Sequence, residues 1–302
     1  MAKILIAGGS GMIGQRLSEI LEEKGHEPMH LSRGPGSGSR YLTFTWDPAQ
    51  QQIEEKAILE ADYVVNLAGA GIAHSRWTAS RKKLIIDSRV DGNRLLRQSF
   101  EKLQKWPKAY LSSAAIGYYG DRGEEWLSET AKPGTGFLSE SCKAWEQAIQ
   151  TIANAEVRTV AFRIGIVLSE KGGALQKMLL PLKFGLSSYF GNGKQWYSWI
   201  HIDDVCRMFI EGIENEGLNG TYNAVAPNPV RNKALADTLV DLVPHAAVAL
   251  PAPEFALRLA MGEMADVVLT SSRVRSEKIQ EAGFKFEFPE LEDALKDLMN
   301  IE

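Results

Sequence analysis

The chain has 302 residues, 44% of them hydrophobic, and its 34 basic and 38 acidic side chains leave a net charge of −4. This length accommodates one large domain and a smaller one. No basic block occurs, so binding to nucleic acid through phosphates is not expected. Cys142 and Cys206 are the only cysteines, and the five histidines lack ligand spacing, so neither a disulfide framework nor a metal site is expected. No apolar run approaches the roughly 20 residues that span a bilayer, and the chain begins directly with a predicted strand. We therefore expect a soluble, cytoplasmic protein with no signal peptide and no membrane partner.

A buried strand, a glycine turn and an amphipathic helix follow one another at the start of the chain. Lys3–Ala7 is a short, mostly apolar run, and the turn after it is spaced G-x-x-G-x-x-G. In this order the glycines let the backbone approach a pyrophosphate, and the free N–H groups of the helix start hold the anion. The segment predicts a dinucleotide site; the alternative is a structural turn without a ligand. The residues predicted to bind the cofactor here are Gly8, Gly11, Met12, Ile13 and Gly14.

The end of the second predicted strand bears on which dinucleotide is bound. In NAD-binding proteins a carboxylate about 20 residues beyond the glycines accepts the ribose hydroxyls. The strand Glu27–Leu31 leads instead into Ser32 and Arg33. A hydroxyl and a guanidinium attract a 2′-phosphate, so the sequence predicts NADP(H) rather than NAD(H). The alternative for Arg33 is a solvated loop arginine.

Strand and helix signals alternate through the first half of the chain, as is typical of a parallel sheet covered on both faces. We predict an α/β fold, a Rossmann-like doubly wound parallel sheet with a smaller C-terminal α/β substrate domain. The expected boundaries are residues 1–168 for the NADP-binding domain, with about 198–215 returning to it, and 169–302 for the smaller domain. Pro35–Ser39 is predicted to be a flexible loop.

Two later segments are candidates for ligand contacts. A strand from Asp62 runs into the small residues Leu67, Ala68 and Gly69, which lets the chain pass close beneath a cofactor; a tight turn is the alternative. Gly191–Trp199 combines glycines with aromatic side chains, which suits a flat or ring-bearing ligand or, equally, packing between domains.

One further segment is interpreted as structural, and the role of one further residue has two alternatives. His201–Asp204 is interpreted as the turn into a helix with an aspartate as its N-cap, a structural role. Arg163 at a strand end could meet substrate or pair with a carboxylate, and the sequence leaves both alternatives open.

Several stretches in a shared order resemble the extended, nucleotide-sugar-epimerase-like branch of the short-chain dehydrogenase/reductases, and more narrowly the divergent epimerase family proteins. The stretches are Gly8–Gly14, Asn66–Gly69, Arg76–Thr78, Asp87–Arg89, Ser112–Gly120, Cys142–Glu146, Trp199–Val205, Ala226–Val230 and the ending from Gly283 to Leu295. The resemblance implies a Rossmann-like sheet, a smaller C-terminal domain and NADP(H) in the cleft between them. It also implies that Ser32, Arg33, Leu67, Ala68, Arg89 and Val167 line the cofactor. Arg89 could also be an ordinary exposed helix arginine.

The usual catalytic residues of this superfamily are incomplete here. The resemblance implies a Ser or Thr that holds the substrate oxygen, a Tyr that moves the proton, and a Lys four residues later that depresses the tyrosine pKa. Lys143 fits the Lys position, but residue 139 is a serine, whose hydroxyl is far less acidic than a phenol. The predicted catalytic candidates are therefore Ser113, Tyr118, Tyr119 and Lys143. The alternatives are a packed aromatic pair for the tyrosines and a solvated helix lysine for Lys143.

The function predicted from these residues is that of an NADP(H)-binding, epimerase-like oxidoreductase with an atypical active site. The expected partner is an unidentified small-molecule substrate, and a homodimer is left open. A second hypothesis is a non-catalytic NADPH-binding regulatory protein that acts through a protein partner, which the missing tyrosine at position 139 favours. An RNA-binding relative of the epimerase fold is disfavoured by the acidic balance.

Overall fold

The computed structural model describes residues 1–34, 39–155 and 157–301, so most of the predicted loop Pro35–Ser39 lies outside the described residues. The strands are β1 (Lys3–Ala7), β2 (Glu27–Ser32), β3 (Leu42–Asp47), β4 (Gln52–Ile53), β5 (Tyr63–Asn66), β6 (Ala109–Ala115), β7 (Trp126–Leu127), β8 (Thr159–Ile164), β9 (Ile166–Leu168), β10 (Leu186–Phe190), β11 (Trp196–Tyr197), β12 (Trp199–His201), β13 (Gly220–Ala224), β14 (Val230–Arg231), β15 (Val248–Ala252) and β16 (Arg273–Val274). The helices are α1 (Met12–Glu23), α2 (Glu55–Glu60), α3 (Ala79–Leu103), α4 (Phe137–Ala153), α5 (Gly173–Leu182), α6 (Ile202–Glu214), α7 (Asn232–Leu242), α8 (Glu254–Met261), α9 (Asp266–Leu269), α10 (Glu277–Glu281) and α11 (Leu291–Met299). Short 3-10 turns occupy Ile116–Tyr119 and Gly262–Ala265.

The central sheet has the order β13-β8-β6-β5-β1-β2-β3-β4. Its neighbours pair in parallel, except that β4 runs antiparallel to β3. The register pairs Ala7 with Asn66 and Asn66 with Ser112, so the carboxyl ends of β1, β5 and β6 meet at one edge. That edge is where open α/β sheets place their ligands. The predicted doubly wound α/β fold is confirmed.

Alternation along β1 explains why both faces of the sheet are covered. Ile4 and Ile6 belong to a buried cluster with side chains of α1 and α6. Leu5 and Ala7 point the other way, into a second cluster formed with α2, α3 and α4. Successive side chains of a strand point to opposite faces, so a strand that is apolar throughout has to be covered twice.

Beside the central sheet, the later part of the chain forms smaller, two-stranded sheets. Its strands pair as β10 with β15 and β11 with β14, while β12 pairs with β9 and β16 pairs with β7. The chain then returns to the large sheet, since α6 packs on α1 and β13 adds beside β8. The return therefore extends to Ala224, beyond the predicted range of about 198–215. Within the described residues, every helix is too short or too polar to cross a bilayer.

An ion pair and a buried carboxylate hold α6, the first helix of the segment that returns to the large sheet, in place. Arg16 on α1 donates from Nε and Nη2 to the two carboxylate oxygens of Asp203 on α6, at 2.6 and 2.8 Å. Asp204, fully buried, accepts from the backbone N–H groups of Glu287 and Phe288, both at 2.9 Å. The predicted aspartate N-cap is wrong: the cap of α6 is His201, whose Nδ1 accepts from the backbone of Asp203.

Candidate functional site

The start of α1 presents free backbone N–H groups at the carboxyl edge of the sheet. Gly11 is the N-cap residue, it is exposed, and no side chain caps the helix. The first turn contains no acidic residue that would compete for these amides. The unsatisfied amides and the positive end of the helix dipole form a site for an anion. This is the arrangement predicted for Gly8–Gly14.

The glycines of the turn have separate structural roles. Gly8 has a φ of +84°, and a Cβ there would lie 2.9 Å from the carbonyl carbon of Leu67. A Cβ on Gly14 would lie 2.3 Å from the carbonyl oxygen of Gly8. Both positions therefore require glycine for backbone packing. A Cβ on Gly11 would meet only the Gly8 oxygen, at 3.2 Å, so Gly11 chiefly keeps the space over the amides open.

The other residues predicted to contact the cofactor lie on two sides of the glycine turn. Leu67 and Ala68 follow β5 and lie against Gly8, as the contact of the Gly8 position with Leu67 and Ala68 shows. On the other side, the Met12 thioether packs against the Gly172–Gly173 turn that follows β9, the strand of Val167. The carbonyl of Ile13 is contacted by the Cys206 thiol at 3.8 Å, which fixes α1 to α6. The structure thus brings the cofactor candidates from three segments to one cleft.

Ser32 and Arg33 lie at the end of β2 beside the glycine turn. Ser32 is half-buried, and Arg33 is exposed. Among the described residues, no carboxylate lies within 4.0 Å of the Arg33 guanidinium. Its charge is therefore free to meet a ligand.

Beneath the turn lies a buried histidine that the sequence analysis missed. The ring of His30 packs under Gly9, where a Cβ would lie 2.4 Å from the imidazole Cδ2. Its Nε2 lies 2.9 Å from the Ser18 hydroxyl, which itself donates to the carbonyl of Gly14. Because that hydroxyl proton is already used, Nε2–H is the donor to Ser18 Oγ. Burial lowers the pKa of His30, so the ring stays neutral and supports the glycine turn from below.

Arg89 is half-buried rather than an exposed helix arginine. Its Nη1 donates to the carbonyls of Ala70 and Ile85, at 3.1 and 2.9 Å, and its guanidinium lies 4.7 Å from the ring centroid of Trp145. A Cβ on Gly69 would lie 3.0 Å from its central carbon, so glycine at 69 gives the guanidinium room. Burial lowers the pKa of Arg89, which indicates a charge held away from water.

Ser113 and the ends of β5 and β6 are joined by a polar network. The side-chain amide of Asn66 donates to the Tyr110 hydroxyl at 2.8 Å, and that hydroxyl donates to Asn93 Oδ1 at 2.6 Å. Ser113 Oγ donates to the carbonyl of Asn66 at 3.2 Å, and the backbone N–H of Ala68 is accepted by Asn66 Oδ1. The network fixes the strand ends that face the cleft. Ser113 is buried in this network.

Tyr118 and Tyr119 differ sharply in their surroundings. The Tyr119 hydroxyl is buried, donates to Asn223 Oδ1 at 2.6 Å and accepts from Arg163 Nη1 at 2.9 Å. Burial raises the pKa of Tyr119 to about 12. Arg163 is itself bound to Glu146 through two hydrogen bonds of 2.7 and 2.8 Å, which resolves the open alternative in favour of a carboxylate partner. These bonds commit Tyr119 to the interior and do not support its predicted proton transfer.

Tyr118 is half-buried, and its ring lies over the Arg163 guanidinium at 3.7 Å. Ser139, at the position where the superfamily has tyrosine, is buried, and its hydroxyl donates to the carbonyls of Tyr118 and Gly134, each at 2.9 Å. Lys143, one turn later on α4, is exposed and makes no hydrogen bond with the described residues. Of the predicted catalytic groups, Tyr118 and Lys143 retain free polar ends.

A cavity of about 600 Å³ lies between the 3-10 turn after β6, the start of α4 and the C-terminal part of the chain. Aromatic rings line it from three segments: Trp77, Phe137 and Phe190. Of the predicted substrate loop, Gly191, Asn192, Lys194 and Gln195 line the cavity. Helix α8 closes one side through Glu254 and Arg258. This volume matches that of small-molecule sites.

The aromatic side chains of the same loop serve elsewhere. Trp199 is fully buried, and Trp196 is stacked between two arginines, with Arg231 and Arg273 each 4.0 Å from a ring centroid. Arg273 also lies 3.9 Å from the Trp126 ring, and Glu124 binds both Arg231 and the Trp196 indole N–H. Arg231 holds the pKa of Glu124 down at about 2. We call Trp126, Arg273, Trp196 and Arg231 the arginine–tryptophan stack; it holds Glu124, which lines the cavity.

A glycine turn that opens a helix at the carboxyl edge of a doubly wound sheet defines a Rossmann-like, nucleotide-binding fold. Residues 4–224 match the model of the NAD-dependent epimerase/dehydratase family, and residues 252–298 match a domain of unknown function, DUF1731. The chain belongs to the NAD-dependent epimerase/dehydratase family. The predicted family membership is confirmed.

Relatives that match over their whole length are named epimerase family proteins. YfhF of Bacillus subtilis is 36% identical over 298 residues, which cover 98% of this chain and 97% of that protein. An epimerase family protein of Staphylococcus aureus is 36% identical, and the match covers 99% of this chain and 99% of that protein.

Two solved structures extend the comparison. The human epimerase family protein SDR39U1 with NADPH superposes with a TM-score of 0.86 at 29% identity and covers 99% of both chains. A nucleoside-diphosphate sugar epimerase from Corynebacterium glutamicum has a TM-score of 0.79 at 30% identity; it covers 100% of this chain and 59% of that one.

Proposed function

We propose that this protein is an NADP(H)-dependent, epimerase-like oxidoreductase that acts on a small molecule. The observation that carries the proposal is the uncapped start of α1 at Gly11, with Arg33 beside it and no carboxylate of the described residues within 4.0 Å of its guanidinium. An oxidoreductase cofactor needs both a pyrophosphate site and an adenosine site, and these two features supply them.

The selection of NADP(H) over NAD(H) rests on the end of β2. An NAD site has an acidic residue there, whereas this chain has Ser32 and Arg33. A guanidinium and a hydroxyl would hold a 2′-phosphate through charge-assisted hydrogen bonds. The human relative in complex with NADPH supports the same choice, although more distant structures of the same fold contain NAD.

The residues present fit a dinucleotide along the cleft. Free amides from Met12 onward would hold the pyrophosphate, Leu67 and Ala68 would flank the adenosine half, and Met12 and Val167 would lie on the opposite side. When bound there, the nicotinamide would supply hydride-transfer chemistry. The aromatic cavity beside the 3-10 turn would then hold the substrate.

Among the predicted catalytic side chains, Tyr118 is the best placed to hold or move a proton. It belongs to the turn that follows β6 at the ligand edge of the sheet, next to the cavity residues Gly117 and Gly120. Lys143 would contact the cofactor ribose, as the family pattern implies. The guanidinium of Arg163 against the Tyr118 ring would hold that ring in place at the cavity.

A second candidate function is a non-catalytic NADPH-binding protein that acts through a protein partner. The specific observation in its favour is Ser139. Where the superfamily has its tyrosine, this chain has a hydroxyl that is buried and bonded to two carbonyls. Such a group can neither act as a base nor reach a substrate.

Calorimetric titration of the whole chain with NADPH and with NADH tests the cofactor proposal. We expect NADPH to bind more tightly by about tenfold to a hundredfold, the difference that charge-assisted bonds to one phosphate produce. Equal affinities would refute the selection, and no heat with either cofactor would refute the whole proposal. Turnover of NADPH with a panel of carbonyl compounds and nucleotide sugars then separates the enzyme from the non-catalytic alternative.

A further inference from the structure

Arg273, in the arginine–tryptophan stack, has no acidic partner. Its guanidinium lies 3.9 Å from the ring centroid of Trp126 and 4.0 Å from that of Trp196. Among residues 1–34, 39–155 and 157–301, no carboxylate lies within 4.0 Å of this guanidinium. The side chain is half-buried, and its Nε is buried without a hydrogen-bond partner in the same part of the chain. Buried polar groups are normally satisfied, so Arg273 has a donor that the described chain leaves unused.

Arg275, two residues further along the chain, shows the ordinary arrangement. Its guanidinium lies 5.1 Å from the Trp126 ring centroid and pairs with Glu277 at 3.0 Å. Both arginines thus lie over the same ring, but Arg273 has no such carboxylate among the described residues. A half-buried guanidinium without an acidic partner keeps its positive charge in a place that water solvates only in part.

The neighbouring layer of the stack shows how an arginine and a tryptophan bind a carboxylate together. Arg231 lies 4.0 Å from the Trp196 ring centroid and donates from Nη1 and Nη2 to the two oxygens of Glu124, at 2.9 and 2.6 Å. The indole N–H of Trp196 donates to the same carboxylate at 2.9 Å. The hydrogen bonds from Arg231 and Trp196 hold the pKa of Glu124 at about 2, so this pair favours the ionised carboxylate.

Arg273 and Trp126 form a second pair with the same chemistry. Their separation of 3.9 Å is close to the 4.0 Å of the first pair. The indole N–H of Trp126 makes no hydrogen bond with the described residues, and 37% of this residue is exposed. The pair thus has a guanidinium, an indole N–H and access from solvent. A carboxylate that is not part of the chain would complete it, as Glu124 completes the first pair.

The position of the stack indicates the source of that carboxylate. Glu124 is held by the stack, and Ser271 accepts from the backbone N–H of Trp196 at 3.0 Å. Both Glu124 and Ser271 line the cavity of about 600 Å³, whereas the four residues of the stack do not. The pair of Arg273 and Trp126 therefore lies beside a cavity of small-molecule size, which favours a small organic acid over a segment of another protein.

We propose that Arg273 and Trp126 form a binding site for the carboxylate of a small organic acid. The proposal does not depend on the proposed function, because no residue of the cofactor cleft takes part in it. A planar guanidinium offers two parallel N–H groups to a carboxylate, a geometry that the ammonium group of lysine does not offer.

The test is an NMR titration of the whole ¹⁵N-labelled chain with sodium succinate, and sodium chloride at equal ionic strength is the reference. The signals followed are the Arg273 Nε–H and the Trp126 indole N–H, which are assigned by their loss in R273Q and W126F. We expect succinate, and not chloride, to shift both signals until they saturate. R273Q and R273K should each weaken succinate binding by about tenfold or more, and W126F by about threefold to tenfold. R275Q, a matched change beside the same ring, leaves the affinity unchanged.

Three results would overturn the proposal: shifts that chloride reproduces, unchanged succinate affinity in both R273Q and W126F, or binding of a glutamate-rich peptide without any binding of succinate. The last result would assign the site to an acidic segment of a protein. R273K keeps a cation in the stack and W126F keeps a ring, so these variants guard against misfolding of R273Q. The unfolding midpoint of each variant is measured alongside.

Discussion

The Tyr119 hydroxyl accepts a hydrogen bond from Nη1 of Arg163 at 2.9 Å, on a chain of contacts that runs from Glu146 through Arg163 and Tyr119 to Asn223. Glu146 belongs to α4, Arg163 to β8 and Asn223 to β13. This series of contacts therefore joins a helix and two strands beneath the turn that carries both tyrosines. Tyr118, the residue before Tyr119, contacts the same guanidinium through its aromatic ring.

We predict that Tyr119→Phe lowers the free energy of unfolding, whereas Tyr118→Phe does not. Removing the Tyr119 hydroxyl leaves Arg163 Nη1 and Asn223 Oδ1 without one partner each, which costs about 1–3 kcal/mol. The Tyr118 hydroxyl makes no hydrogen bond with the described residues, so its loss changes stability by less than about 0.5 kcal/mol. Urea denaturation of the two variants measures the difference. If Tyr119→Phe is as stable as the parent, the hydroxyl does not hold this contact chain together.

The same pair tests the catalytic proposal. Any NADPH turnover found with a substrate should disappear in Tyr118→Phe and persist in Tyr119→Phe, once the latter is assayed below its unfolding temperature. The reason is that only the Tyr118 hydroxyl is free of bonds to the interior. Steady-state rates of both variants at saturating NADPH give the answer, and full activity of Tyr118→Phe would exclude that phenol from the mechanism.

We predict that Arg33→Ala weakens NADPH binding by about tenfold to a hundredfold and leaves NADH binding unchanged. The guanidinium is exposed and would contact only the phosphate that distinguishes the two cofactors. Calorimetric titration of both cofactors measures the effect, with Arg97→Ala as the control for removal of an exposed arginine. An equal loss for NADH and NADPH would show that Arg33 does not read the 2′-phosphate.

Substituting two different glycines of the turn should affect two different properties, stability for Gly14 and cofactor binding for Gly11. Gly14→Ala places a methyl group 2.3 Å from the Gly8 carbonyl oxygen, so we expect the free energy of unfolding to fall by about 1–3 kcal/mol. Gly11→Ala meets that oxygen at 3.2 Å, so its stability stays nearly unchanged while NADPH binding weakens, since the methyl group occupies space over the free amides. Chemical denaturation and NADPH titration are run on both variants. Normal NADPH affinity in a folded Gly11→Ala would place the pyrophosphate elsewhere.

The ion pair between Arg16 and Asp203 should make stability depend on pH. Burial acts to raise the pKa of Asp203, but the hydrogen bonds from Arg16, the charge of Arg16 and the neighbouring positive charges together outweigh burial and hold the pKa below its ordinary value. A carboxylate with a depressed pKa in the folded state stabilises fully above its unfolded pKa of about 3.9, and the effect is lost as pH falls through the folded value.

Arg16→Met should therefore cost up to about 1 kcal/mol at neutral pH, because both side chains are partly exposed to solvent, and progressively less below pH of about 4. Urea denaturation of parent and variant across that range gives the difference, and Arg97→Met serves as the surface control. A difference that stays constant down to acidic pH would show that the charge of Asp203 does not produce the stabilisation.

The local features of the cofactor cleft could be predicted from the sequence because they are encoded within a few residues. The order of strand, Gly8, Gly11, Gly14 and helix determines the turn almost by itself, and the apolar alternation of β1 requires two covered faces. Family resemblance added Arg89, which the structure places beside the cleft.

What could not be predicted depends on partners distant in the chain. The carboxylate that pairs with Arg163 is Glu146, on another element, and nothing local distinguishes Tyr118 from Tyr119 until the 3-10 turn directs one ring inward. For the loop Gly191–Trp199 the sequence left ligand contact and packing between domains equally open, and arginines from β14 and β16 lie over the Trp196 ring.

The arginine–tryptophan stack has a consequence for the side of the cavity that Glu124 lines. Four large side chains from β7, β11, β14 and β16 are held in one arrangement by their contacts with each other and with Glu124. Immobilising a flexible side chain on association costs about 0.5–1.5 kcal/mol of conformational entropy. The Glu124 carboxylate is held by the stack without any ligand, so this side of the cavity is preorganised, and a molecule that contacts Glu124 loses little affinity in ordering it.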